Sequence, residues 1–276
     1  VGLGLRPLLD LERAIAKRGP SELEPIRRSV AVETQGIVDT LNALLDRISR
    51  RISSKDEFIS NAAHQLRNPV AGVLALAESV ESAPNPEATK QRSAELVLAA
   101  REASNLTNKL LSFERASGTD ILRSGRPIEL RSFIREIGHA FGQQNPDHAS
   151  EMLYTLPKQD IVVKGDATML REAVLNLLTN AIIHGGPDLT QIKMDLSQDG
   201  SNAVLLISDN GTGIPANKHI EALSRFSQAG GGPGSGLGLP IASRVMENHD
   251  GRLEILESSS GALIRLTIPL ASSPNI

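Results

Sequence analysis

The sequence predicts a multidomain chain: α-helical segments come first, with a helical hairpin that pairs between two copies as a four-helix bundle, and a mixed α/β domain follows. Three observations carry this. Apolar residues recur at helical spacing up to about residue 117, a turn-rich break follows at "ASGTDILRSGRP", and alternating hairpin patterns appear beyond it. The 276 residues allow two or three small domains with a sizeable core. Aromatics make up 2% of the chain, with no Trp, so Leu, Ile, Val and Ala must fill that core, which favours helices and small sheets over an aromatic-rich β-sandwich. A net charge of −3 without a long basic block argues against a nucleic-acid partner. The lack of cysteine excludes disulfides, thiolate metal sites and thiol catalysis. No run approaches the ~18 apolar residues of a membrane span. The abrupt apolar start "VGLGLRPLLD" fits a fragment cut from a membrane-anchored N-terminal segment, and fits a processed soluble protein almost as well.

Residues 1–52 read as two short helices around a connector. "RPLLDLERAIAKRG" is amphipathic and stops at Gly19-Pro20, "PSELEPIRRS" connects, and "VETQGIVDTLNALLDRISRRI" is helical again. Neither helix can bury its stripe alone, so partner helices are implied. The next helix extends from about Ser53 to Ala83 and breaks at "APNPE", where Asn85 is a good N-cap and Pro86 suits the first helical position. A second runs from Pro86 to about Ser117, with Leu96, Ala99, Ala103, Leu106, Leu110 and Phe113 at helical spacing. Two antiparallel helices cannot enclose such stripes, whereas two copies of the hairpin can, so a homodimer is expected.

After the linker, "DATMLREAVLNLLTNAIIHGG" is a helix ending in glycines. "QIKMDLSQDGSNAVLLISDNG" is a hairpin turning at residues 198–202, and "GRLEILESSSGALIRLTIPL" is another. Between them "GGGPGSGLGLP" is a glycine-rich loop running into the helix "IASRVMENHDG".

Chemistry-bearing residues sit at particular places on these elements. In "FISNAAHQLRNPVAG", residues Phe58, Ile59, Ala62, Ala63, Leu66 and Val70 share one arc at about 100° per residue, and His64 falls on the opposite side. Five residues on, Pro69 removes the hydrogen bond to the Gln65 carbonyl, and a bend is expected there. His64 is either a solvated surface histidine or a nucleophile, since an exposed imidazole keeps an unprotonated fraction near neutral pH. Asn176, Asn180 and His184 recur every fourth residue on an otherwise apolar helix, either as a solvated face or as a polar site. Asp209 ends a strand just before Gly211 and Gly213. It reads as a turn residue, or as a carboxylate accepting from an exocyclic amine while glycines let backbone approach a ring. "GSGLGL", Gly234 to Leu239, leads into a helix whose free N–H groups suit phosphates.

Taken in this order, the motifs resemble a bacterial two-component sensor histidine kinase along essentially the whole chain. "AAHQLRNP" is similar to the phosphoacceptor box, "NLLTNAIIH" to the N box, "DNGTGIP" to the adenine-binding box, "SRFSQ" to the phenylalanine box and "GSGLGL" to the lid glycine box. The resemblance implies three domains. These are a HAMP signal-relay coiled coil over 1–52, a dimerisation and histidine-phosphotransfer hairpin over 53–120, and an α/β-sandwich of the GHKL ATP-binding superfamily over 121–276. It implies that His64 accepts phosphate, that Asn180 holds Mg²⁺ on the ATP phosphates, and that Asn176 and His184 lie nearby. Asp209 would read the adenine amino group, with Gly211 and Gly213 shaping the pocket. Gly234, Gly236, Leu237, Gly238 and Leu239 would form the lid that wraps the phosphates, and Phe226 would pack the lid to the domain. Asn176 stands where related gyrase-type ATPases carry a water-activating Glu; an amide cannot be that base, so ATP would wait for the imidazole. The implied partner is the receiver domain of a response regulator, and the implied location is the cytoplasmic portion of a bacterial inner-membrane protein.

The chain departs from the family pattern at several positions. Gln65 follows the histidine where most relatives carry Glu or Asp; its amide can orient the ring but is a very poor base. Asn68, one turn beyond His64, stands where relatives place Thr or Asn to orient water for receiver dephosphorylation. Ile183 and Gln228 occupy positions that are usually cationic and face the phosphates, so the charge of phosphoryl transfer is under-compensated unless Arg225, Lys218 or another base fills the gap. Leu223 and Ile264 replace frequent phenylalanines. The main alternative is therefore a weak kinase acting chiefly as a receiver-directed phosphatase and dimeric scaffold, and a more distant one is a GHKL ATPase outside signalling.

Overall fold

A computed structural model describes residues 12–13, 19, 22–26, 32–117, 125–146, 151–227 and 235–271. The chain divides into two compact units, Val1–His64 and Gln65–Ile276. Helix α1, Val32–Glu81, crosses from one unit into the other. Where the sequence predicts two successive helices meeting near residue 52, there is one helix, because "RRISSKDE" contains neither Gly nor Pro and nothing terminates it. The helix also continues through Pro69. Most of the predicted helix before Gly19 and much of the connector lie outside the described residues.

In the first unit, the connector is clipped to α1. The side-chain oxygen of Asn42 accepts the Ile26 backbone N–H at 2.7 Å, and the Asn42 amide donates back to the Ile26 carbonyl at 3.4 Å. Ile26 and Val38 are buried together, with Leu41 and Leu45 packed against them. A polar clip on an extended segment thus fixes the register of a small apolar cluster.

In the second unit, α1 ends at Glu81 and α2 spans Pro86–Ser117. Asn85 caps α2 as its sequence predicts, its side chain accepting the Ala88 N–H at 2.8 Å. The α/β domain then runs β1 (Arg126–Glu129), α3 (Leu130–Gln144), β2 (Glu151–Thr155), β3 (Val162–Gly165), α4 (Ala167–His184), β4 (Gln191–Asp199) and β5 (Asn202–Asp209). It continues with a short 3₁₀ turn at Ala216–Lys218, α5 (His219–Ala222), α6 (Gly238–Glu247), β6 (Arg252–Leu256) and β7 (Leu263–Pro269). The main sheet has five strands in the order β2-β4-β5-β7-β6, all antiparallel except the β2–β4 pair; β1 and β3 form a separate antiparallel ribbon.

Both predicted hairpins are present. β4 and β5 pair up to Asp199 opposite Asn202, turning through Gly200, and β6 pairs with β7. Alternate residues of β4 and β5 (Ile192, Met194, Leu196, Ala203, Leu205, Ile207) are buried, as expected for a sheet with one face on a core. Helices α3, α4 and α6 supply the other layer through Ile134, Ile137, Leu177, Leu178, Ile241, Val245 and Met246, so the domain is an α/β sandwich. Among the described residues no helix is long and apolar enough to cross a membrane.

Candidate functional site

A cavity of about 360 Å³ opens between α4, α6 and the loop after β5, within the range of small-molecule sites. On the β5 side lies Asp209. Its Oδ1 accepts the backbone N–H groups of Gly211 at 2.9 Å and Ala262 at 3.1 Å, so the carboxylate is fixed while no donor among the described residues reaches Oδ2. A carboxylate oriented in this way can accept one further hydrogen bond from a ligand amine. Thr212, Gly213, Ile214 and Pro215 continue this wall, with Ile207, Ala262 and Ile264 from the sheet. Gly213 has φ of 77°, and a Cβ there would lie 2.6 Å from the Gly261 carbonyl oxygen, so no other residue lets the loop pass this close.

Helix α4 supplies the opposite wall. It starts at Asp166, whose side chain accepts the N–H groups of Thr168 and Met169, and it ends at Gly185, whose carbonyl accepts from Thr212 N–H at 2.9 Å. The Gly185–Thr212 bond ties the end of the helix to the Asp209 loop. The polar stripe divides along the helix: Asn176 is buried and does not line the cavity, whereas Asn180, Ile183 and His184 do. The solvated-face reading therefore fails at Asn176. Desolvation first, and the positive charge of Lys109 second, hold the His184 ring below its ordinary pKa.

The third wall is the start of α6. Ser235, Gly236, Gly238 and Leu239 line the cavity there, with the helix N-terminus facing it; Leu237 is fully buried beneath. A Cβ on Gly238 would meet Asn180 Oδ1 at 2.8 Å, so the glycine is what lets the amide lie against the helix start. Phe226, at φ 59°, donates its N–H to the Gly236 carbonyl at 3.0 Å, and Gly236 itself has φ 63°. The two ends of the glycine-rich loop are thereby held together by backbone pairing. Gly234 and Gln228 lie outside the described residues, and Gly211 and Phe226 border the site without lining the cavity.

Of the two candidate cations, neither lines the cavity. Arg225 stacks over the Phe113 ring, 4.7 Å from its centroid, and Lys218 sits in the 3₁₀ turn. The cation that does line it is Lys109 of α2, which the sequence reading does not single out. On α1, His64 and Asn68 are exposed as expected and Gln65 is half-buried, while Ile59, Ala63 and Val70 of the apolar arc are exposed as well.

The residues fit an adenine nucleotide: a fixed carboxylate for an exocyclic amine, a glycine-lined passage for a ring, and a helix N-terminus for phosphates. They also fit Mg²⁺ held by phosphates, since the Asn180 side chain, with its amide oxygen, lines the cavity and Mg²⁺ typically keeps several waters. Among the described residues no cluster of three His, Asp or Glu offers a cage made of protein alone.

Three family models match the chain. The HAMP domain of PhoQ-like sensor proteins covers residues 5–50, the His Kinase A (phospho-acceptor) domain covers 54–119, and the histidine kinase-, DNA gyrase B- and HSP90-like ATPase covers 165–272. Together these place the chain among the two-component sensor histidine kinases. The sensor protein kinase PmrB of Pseudomonas aeruginosa is 28% identical over 265 residues, covering 95% of this chain and 55% of that protein. The probable sensor histidine kinase TcrY of Mycobacterium tuberculosis is 30% identical over 262 residues, covering 87% and 52%. The chain thus spans about half the length of these curated relatives. Among solved structures, histidine kinase ThkA in complex with response regulator TrrA superposes with a TM-score of 0.66 at 20% identity, covering 81% of this chain and 64% of that one. Acinetobacter baumannii histidine kinase AdeS gives 0.60 at 17%, covering 76% and 98%. These two likenesses concern the fold.

Proposed function

We propose that the chain is the ATP-dependent kinase portion of a sensor, divided as 1–52 signal relay, 53–120 phosphotransfer hairpin and 121–276 catalytic domain. An unprotonated nitrogen of His64 attacks the γ-phosphorus of ATP, the bond from that phosphorus to the β–γ bridging oxygen breaks, and ADP leaves. Gln65 cannot take the imidazole proton, because an amide is not a base; it orients the ring and the proton passes to water. Asp209 holds the adenine amino group, Gly211 and Gly213 shape its slot, and Asn180, with His184 beside it, faces the phosphates. When bound, Mg²⁺ neutralises phosphate charge and is held on the protein side by Asn180. Asn176 offers no carboxylate to activate water, so ATP is spared hydrolysis until the imidazole arrives. The phosphate then passes to an aspartate of a response-regulator receiver; the complex in which ThkA was solved is in keeping with this partner class.

The observation that carries this reading is Asp209, with one carboxylate oxygen saturated by backbone and the other left for a ligand donor at the wall of a nucleotide-sized cavity. Incubation with γ-labelled ATP and Mg²⁺ should give acid-labile, base-stable phosphate on the parent and none on His64→Ala, while the variant still binds nucleotide. Undiminished label on His64→Ala would overturn the assignment.

A second reading, a weak kinase dominated by receiver phosphatase activity, is favoured by one observation. Ile183 lines the cavity where relatives carry a cation.

A further inference from the structure

Ile183 leaves the α4 wall of the cavity without the positive charge that a triphosphate needs, while a cation reaches the cavity from another element. Lys109 belongs to α2, in the hairpin rather than the α/β domain, yet its side chain lines the same cavity as Asn180, His184, Gly236 and Gly238. Among the described residues lining that cavity, Lys109 is the sole Lys or Arg and Asp209 the sole carboxylate.

The placement follows from how α2 docks. Its last turns bury Leu110, Phe113 and Ala116, and α2 packs on α6. The Asn248 side chain, just past α6, donates to the Ala116 carbonyl, and Arg225 covers the Phe113 ring. Leu110 and Phe113 therefore fix the rotation of α2, and Lys109, adjacent to Leu110 and half-buried, is directed at the cavity rather than at bulk water. Among the described residues Lys109 has no ion-pair or hydrogen-bond partner, while burial pushes its ammonium below the ordinary lysine value. A half-buried cation without a partner is under-solvated, and an anionic ligand relieves that cost.

We propose that Lys109 is the phosphate-binding cation of the nucleotide site, so that the triphosphate is held jointly by α4, the start of α6 and the hairpin helix α2. The proposal rests on the nucleotide reading given above and extends it: the binding site is completed by a helix outside the residues matched by the ATPase family model. It follows that nucleotide occupancy and the docking of α2 on α6 favour one another, since each supplies what the other lacks.

The test titrates the full chain by calorimetry with the magnesium salt of AMPPNP and, separately, with adenosine, for the parent, Lys109→Gln and Lys109→Arg. Loss of one charge-assisted contact should weaken AMPPNP about tenfold in Lys109→Gln. Adenosine, which has no phosphate, should bind as it does to the parent, and Lys109→Arg should recover most of the AMPPNP affinity. Equal losses for both ligands would show a merely structural role, and an unchanged AMPPNP affinity would show no contact; either overturns the proposal while leaving the nucleotide site standing. A parent that binds neither ligand would overturn the nucleotide reading and this proposal with it.

Discussion

In the proposed function Asp209 is both scaffold and reader. Its Oδ1 is committed to Gly211 and Ala262 N–H groups, so the loop keeps its shape if that oxygen is kept. Asp209→Asn keeps an acceptor there but turns the other edge from acceptor into donor, aimed at an amine that is itself a donor. ATP affinity should fall about tenfold or more, because a site built to accept is then left facing like against like, while the thermal midpoint barely moves. Calorimetry with ATP beside a melting curve checks both, and unaltered affinity would remove Asp209 from adenine recognition. Asn68 is read from the same chemistry. Exposed and one turn from His64, its amide can orient a water against an acyl phosphate without being a base. Asn68→Ala should abolish dephosphorylation of the phosphorylated regulator and leave autophosphorylation measurable; an unchanged dephosphorylation rate would make it a bystander.

Among the elements, α3 carries a cap whose charge can be titrated. Glu129 accepts the N–H groups of Arg131 and Ser132, both at 2.8 Å. Partial burial pushes its carboxyl upward, but the bonds from Ser132 and Arg131 and the Arg131 charge outweigh this, and the net direction is below the ordinary glutamate value. A carboxyl lowered in the folded state binds protons less readily there than in the unfolded chain. Its contribution is therefore fully present above the unfolded glutamate pKa and is lost as pH falls through the folded one. Glu129→Ala should cost about 1 kcal/mol at neutral pH, and urea melts should show the gap to the parent closing under acid conditions. A gap independent of pH would mean that the cap acts without its charge. Elements such as this mark the limit of what the sequence displays. The β4–β5 and β6–β7 hairpins are legible because alternation and Gly200 are local signals. β1 and β3, at four residues each, are too short for a period, and the parallel β2–β4 pairing is non-local. Residues between the linker and "DATMLRE" receive no element in the sequence reading, although Leu130, Phe133, Ile134, Ile137 and Phe141 of α3 do follow helical spacing. In the site, Asp209, Asn180 and the α6 glycines are legible from motif chemistry. Lys109 is not, since its role depends on Ala116 meeting Asn248 across 132 positions of chain.

At the scale of the whole molecule, the unsatisfied surface is apolar and helical. In the first unit Ile37, Leu44, Ile48, Ile52 and Ile59 of α1 are exposed at spacings of seven, four, four and seven, an apolar stripe without a partner among the described residues. In the second unit Leu74 of α1 and Leu98 of α2 are each 60% exposed, with Val70 and Val97 beside them. The buried side of the hairpin is already used: Ala77, Val80 and Leu96 are half-buried, and Arg92 donates to the Ser79 carbonyl across its turn. A second copy of the hairpin supplies complementary stripes and makes four helices of two. Covering one leucine contributes about 1.5–3 kcal/mol, and in a symmetric pair each position counts twice. Leu74→Glu would instead bury two carboxylates without partners, a cost that association through this surface cannot meet. Sedimentation should therefore show a dimeric parent and a monomeric Leu74→Glu. ATP affinity should survive in the monomer, because one chain by itself already brings Lys109, Asn180, Asp209 and the start of α6 together around the cavity. A variant that stays dimeric would move the interface away from the hairpin, and one that loses nucleotide binding as it dissociates would show that the site depends on the partner copy.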